Sequence, residues 1–159
     1  MQIFELLVLL FLANGAPVIA RNILGKRFAW PVDAGIRFVD GRPLFGASKT
    51  LRGLLFSVVF TTLGSWLMGL GWVVGVVVAT TSMAGDLFSS FIKRRFDVPV
   101  SGRATGLDQI PESLFPALAC QRMLDLDVTE ISAVVVLFFV GDVVLSPLFH
   151  KLHIRKRPY

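Results

Sequence analysis

A chain of 159 residues suits one domain, but 54% hydrophobic residues and a mean hydropathy of +0.70 exceed what a soluble globule of this size carries, and the chain reads as an integral membrane protein. The net charge of +5 does not argue for nucleic acid, because the cations fall where membrane topology wants them and no nucleic-acid-binding fold displays them. The single cysteine, Cys120, excludes an intrachain disulfide or a cysteine metal cluster.

Crossing a hydrocarbon core takes roughly 17–25 apolar residues. In chain order, the runs 3–20, 51–70, 72–91 and 131–149 qualify. A fifth stretch, 107–124, is apolar but contains Asp108, Pro111, Glu112 and Pro116, so an irregular span is expected there. The first run lacks a basic n-region and a cleavage site, so it is expected to be retained. With an outside N-terminus and five crossings, segments 21–52, 93–103 and 151–159 are cytoplasmic and hold 15 of the 16 Lys and Arg residues. The opposite loop "DLDVTE" at 125–130 has no cation. Positive-inside bias therefore supports an all-α polytopic protein of about five transmembrane helices, one domain spanning 1–159, in the cell membrane.

The connection after the first span is too long and too rich in aromatic and aliphatic residues for a disordered linker, and it is expected to be an ordered cytoplasmic loop. The second and third spans are joined by "GLGW", a hairpin. Gly71 and Gly75 form a small-xxx-small pair that favours close helix approach.

The third span ends unusually. In "AGDLFSSFIKRRFD", at 84–97, helical spacing puts Asp86, Ser90, Lys93 and Asp97 in one stripe. An acid at the depth of Asp86 costs about 2–3 kcal/mol on insertion scales unless it finds a partner. The plain explanation is a headgroup anchor, with Asp86 neutralised by an arginine. Asp108 and Glu112, four apart at the start of the next segment, shift the balance, because a short loop brings them beside Asp86 and Lys93. Carboxylates facing cations at a membrane surface suit Mg²⁺ and phosphates, which makes a nucleoside triphosphate the natural ligand class. A third cluster, "DGRPLFGASKTLRG" at 40–53, lacks the spacing of a phosphate-binding P-loop, yet Lys49 and Arg52 among its glycines can meet phosphate oxygens.

Two blocks, "PVDAGIRFVDGRPLFGASKTLRGLLFS" at 31–57 and "GDLFSSFIKRRFDVP…LDQIPE" within 85–112, resemble the archaeal CDP-archaeol synthase family, related to the CTP:phosphatidate cytidylyltransferases. The resemblance covers nearly the whole chain. It implies transfer of a cytidylyl group from CTP to a membrane lipid phosphate of archaetidic or phosphatidic acid type, with Mg²⁺ as cofactor and the active site facing the cytoplasm. It further implies that Asp86, Lys93 and Asp108 carry the chemistry. Asp40, Arg42, Lys49, Arg52, Ser90 and Arg94 would contact the nucleotide, and Asp86, Asp108 and Glu112 would hold the metal. The family has an acid three residues after the Asp108 position, where this chain has Pro111; Glu112, one residue on, is expected to substitute. Asp142, mid-span, lies outside the family pattern, and is expected to be either a buried acid paired with a serine or arginine or a polar cavity residue. The rival readings are an enzyme using another nucleotide or a polyprenyl-type acceptor, a small transporter or channel using Asp86 and Asp142, and a membrane scaffold. Homo-oligomerisation is left open.

Overall fold

The computed structural model describes residues 2–102 and 104–151, with side chains through Val144. The expectations for Arg103 and for the basic tail at 152–159 lie outside the described residues. Five helices follow in order: α1 (Gln2–Leu24), α2 (Leu51–Leu67), α3 (Trp72–Arg95), α4 (Gln109–Ala119) and α5 (Val128–Lys151). Helices α2 to α5 pack in sequence, each on the next, and all four touch α1.

Apolar spacing explains the centre. Leu6, Leu9, Leu10 and Ala13 form one stripe of α1, fully buried, against Val74 and Val78 of α3, Ala117 of α4 and Val134 and Phe138 of α5. By length and composition α1 and α3 are long and apolar enough to cross a membrane. At 17 residues α2 is a shorter apolar helix, capped by the Thr50 hydroxyl, which accepts from Gly53 N–H. Helix α5 opens on a reciprocal capping box: Glu130 N–H donates to Asp127 at 2.7 Å, while the Glu130 carboxylate accepts from Asp127 N–H at 3.0 Å. That D-x-x-E signal sits inside the cation-free loop.

The fifth stretch is where expectation and structure part. Instead of a span over 107–124 there is an 11-residue helix, about 16 Å long and so about half a hydrocarbon core, followed by turns. Two features make the segment irregular. Gly106 turns the chain at φ +90°, and Pro116 withholds the N–H that the carbonyl of Glu112 would receive. The expected stripe on α3 is also cut short, because the helix ends at Arg95 and Asp97 sits beyond it at φ +57°.

Two glycines set the helix crossings. A Cβ on Gly75 would lie 2.5 Å from the Thr62 Cα, so α2 and α3 touch backbone to backbone there, whereas Gly71 is a turn residue at φ +83°. A Cβ on Gly85 would lie 2.3 Å from the Pro111 carbonyl oxygen and 2.8 Å from the Glu112 nitrogen. This contact brings the third and fourth helices together at Glu112 itself and one residue before Asp86.

The long loop is folded around Asp33. Its carboxylate, on a residue only 5% exposed, accepts from the N–H groups of Gly35, Phe45 and Gly46 at 2.9–3.0 Å. Burial opposes the charge, but those backbone donors outweigh it and hold the carboxyl below its ordinary value. Antiparallel bridges Pro31 to Thr50 and Arg37 to Pro43 close the loop on itself.

Candidate active site

A cavity of about 700 Å³ opens among the ends of α1, α2, α3 and α4, the long loop and Asp142 of α5. Of the residues expected from the sequence, Lys49, Arg52, Asp86, Lys93, Asp108 and Glu112 line it. They come from three separate parts of the chain: the Gly85 crossing joins α3 to α4, and the Lys49 to Asp86 pair joins the segment before α2 to both.

Lys49 stands just before α2 and donates to both oxygens of Asp86, at 2.5 and 2.6 Å. Asp86 thus finds a lysine where an arginine was the plain expectation. Burial works against the Lys49 charge, but Asp86 foremost and then Glu112 outweigh it and raise its pKa above the ordinary value, so it stays cationic. The Glu112 carboxyl lies within hydrogen-bonding reach of Asp86. Two turns further along α3, the 7%-exposed Lys93 pairs with Asp108 at 2.6 Å and donates to the Gly102 carbonyl at 3.2 Å. The other Asp108 oxygen accepts from Ala104 N–H at 2.9 Å, so this acid braces the loop that leads into α4.

Arg52 is engaged differently from expectation. Its guanidinium donates to the Gly25 carbonyl at 2.8 Å and to the Arg27 carbonyl, holding the turn at the end of α1. Asp40, Arg42, Ser90 and Arg94 do not line the cavity. Arg42 pairs with Asp97 and donates to the Arg95 carbonyl, while Arg95 pairs with Asp40 at 2.7 Å and lies over the rings of Phe38 and Phe91. These residues clasp the long loop to the end of α3. Ser90 is buried at 2% exposure; its neighbour Ser89 is the one that ties α3 to the next segment, with its hydroxyl 2.6 Å from the Leu107 carbonyl. Arg94 is buried within the electrostatic reach of Asp108.

Sequence reasoning missed Asn14, Arg21, Lys26 and Gln109, all of which line the cavity. Asn14 had a visible signal, an amide inside an apolar run; it donates to Ser82 of α3 at 3.1 Å. Asp142 is a cavity residue, and Gln109 donates to it at 2.9 Å.

Asp86 and Glu112 are hard oxygen donors that face each other beside room for phosphates, a donor set that fits Mg²⁺. The three acids expected to share the ion do not gather. Among the described residues no group of three acid, histidine or cysteine side chains is close enough to ligate one ion, because Asp108 is turned toward Lys93 and Ala104.

The sequence matches the family described as CarS-like, CDP-archaeol synthase, over residues 2–71 and 65–159. It is 35% identical over 153 residues to a CDP-archaeol synthase of Sulfurisphaera tokodaii, covering 92% of this chain and 89% of that protein. With a CDP-archaeol synthase of Pyrobaculum calidifontis it shares 31% identity over 163 residues, 99% and 97% of the two chains. A solved structure reported as an intramembrane enzyme for archaeal membrane lipids biosynthesis superposes with a TM-score of 0.61 at 27% identity, covering 86% of this chain and 92% of the other.

Proposed function

The chain belongs to the CarS-like family of CDP-archaeol synthases, and from that premise we propose that it transfers the cytidylyl group of CTP to the phosphate of an ether-linked isoprenoid lipid, releasing pyrophosphate. The observation that carries the reading is the meeting of Lys49, Asp86 and Glu112 with Lys93 and Asp108 in one cavity at the ends of membrane-type helices.

A phosphate oxygen of the lipid attacks the α-phosphorus of CTP while the bond from that phosphorus to the β-bridging oxygen breaks, and the electron pair leaves on pyrophosphate. Two anions must approach each other for this, and their repulsion is the main obstacle. Lys49 and Lys93 meet it with two buried or half-buried ammonium groups held at fixed positions by Asp86 and Asp108. Asp86 and Glu112 are the residues that would hold Mg²⁺, which when bound supplies further neutralisation of the triphosphate. Asp108 holds Lys93 and the approach loop in register, and the Arg52 guanidinium fixes the turn after α1. Because the nucleophile is already an anion, no side chain has to remove a proton from it. Cytosolic CTP requires the cavity to face the cytoplasm, as the charge distribution also favours.

Purified protein in detergent with α-labelled CTP, Mg²⁺ and a panel of lipid phosphates tests this. A labelled CDP-lipid with stoichiometric pyrophosphate is expected, with ether-linked isoprenoid acceptors preferred over ester-linked diacyl ones. Equal use of both would refute that preference, and no product from any acceptor would refute the activity.

A further inference from the structure

The cations of the cavity are not equivalent. Lys49 and Lys93 are committed to Asp86 and Asp108, and the Arg52 guanidinium to two backbone carbonyls. Arg21, in the last turn of α1, and Lys26, in the turn that Arg52 holds, also line the cavity. Among the described residues neither has an ion pair or a side-chain hydrogen bond. Their surroundings differ too. The lining beside them includes Pro17 and Val18 of α1 and Leu54 of α2, whereas the acids gather on α3, α4 and α5. The same two helices expose Ile19, Ile23, Leu51 and Leu55 outward. A nucleoside triphosphate has no use for an apolar flank at its phosphates, but a lipid whose chains begin next to its phosphate does.

We propose that Arg21 and Lys26 form the seat of the acceptor lipid's phosphate, distinct from the Lys49 and Lys93 positions that serve the nucleotide. The assignment rests on the cytidylyl-transfer reading. Two cations and an apolar flank at the level of the headgroups recognise a phosphomonoester dianion attached to hydrocarbon. Arg52 acts here as a positioning residue, since it fixes the turn that presents Lys26.

The test separates the two phosphate sources. Arg21→Gln, Lys26→Gln and the double variant are compared with wild type and with Arg122→Gln, a cation near the opposite end of the helices. In each single variant the KM for lipid phosphate should rise about tenfold, the effect of losing one charge-assisted contact, and further in the double variant. The KM for CTP should stay within about twofold, and Arg122→Gln should leave both unchanged. An unchanged lipid KM in the double variant, or a rise confined to CTP, would overturn the proposal. Binding to wild type in bicelles without CTP supplies a readout independent of turnover, using an isoprenoid ether lipid phosphate and the matching lipid alcohol. Preference for the phosphate that disappears in the double variant supports the seat, and if turnover is absent as well it is cytidylyl transfer that fails. No preference in wild type would refute the seat itself.

Discussion

Asp33 shows how one carboxylate can order a loop of this length. Three backbone donors converge on it, tying Gly35 to Phe45 and Gly46 across the loop, while Asp40 and Arg37 brace its tip by accepting from Arg42 N–H and donating to the Gly41 carbonyl. Replacing it with alanine strands three N–H groups in a nearly buried site, so Asp33→Ala should lower stability by about 2 kcal/mol or more in thermal or denaturant melts. The same residue sets an acid limit. Because its folded pKa lies below the ordinary 3.8, its contribution is complete above that value and is lost as pH falls through the depressed one. Loop order, read by protease sensitivity at residues 36–42, should hold at pH 5 and fail only well into the acid range; an Asp33→Asn protein should lose that acid transition. A transition near pH 6 would mean that another group controls the loop.

At the level of helices, the α3 to α4 contact decides whether a site exists. Gly85 lies against the Pro111 and Glu112 backbone at a distance that admits no Cβ. A Gly85→Ala substitution should push α4 away, separate Glu112 from Asp86 and cut turnover by at least tenfold while leaving membrane insertion intact. Gly15, whose Cβ would meet nothing within 4 Å, provides the control: Gly15→Ala should keep full activity. Equal activity in the two variants would show that the crossing can slide without cost to the site. The apolar runs made α1, α2, α3 and α5 readable to within a few residues, because burial against hydrocarbon and against neighbouring helices both select the same residue types. Helix α4 was not readable as it stands, since the chain breaks into turns after Ala119 while its apolar run continues to Leu124. The acids and lysines of the site were visible as charges out of place in greasy surroundings. Their pairing was not, because Lys49 and Asp86 meet only through tertiary packing, and nothing local announces that Arg52 will face carbonyls.

Among the described residues, most lysines and arginines lie toward the end of the helices that holds the cavity, in the loop after α1 and at the end of α3. Exposed Trp66 and Trp72 flank the α2 to α3 hairpin, and exposed Phe28 and Trp30 lie in the loop after α1, which marks two interfacial levels with the cavity nearer the second. A cysteine placed at the 96%-exposed Val39 in a Cys120→Ala background should therefore react with reagent only from the cytosol, and one at Arg122 only from outside. Reversed labelling would put the cavity out of reach of cytosolic CTP. Whether this cavity performs cytidylyl transfer through the Asp86 carboxylate is read from the turnover of labelled CTP into CDP-lipid by Asp86→Asn protein. The substitution keeps size and hydrogen bonding while removing the charge that holds Lys49 and would hold the metal, so turnover should fall roughly 10²–10³-fold in protein that still folds and inserts. Wild-type turnover by Asp86→Asn, at both saturating and limiting Mg²⁺, would contradict the account.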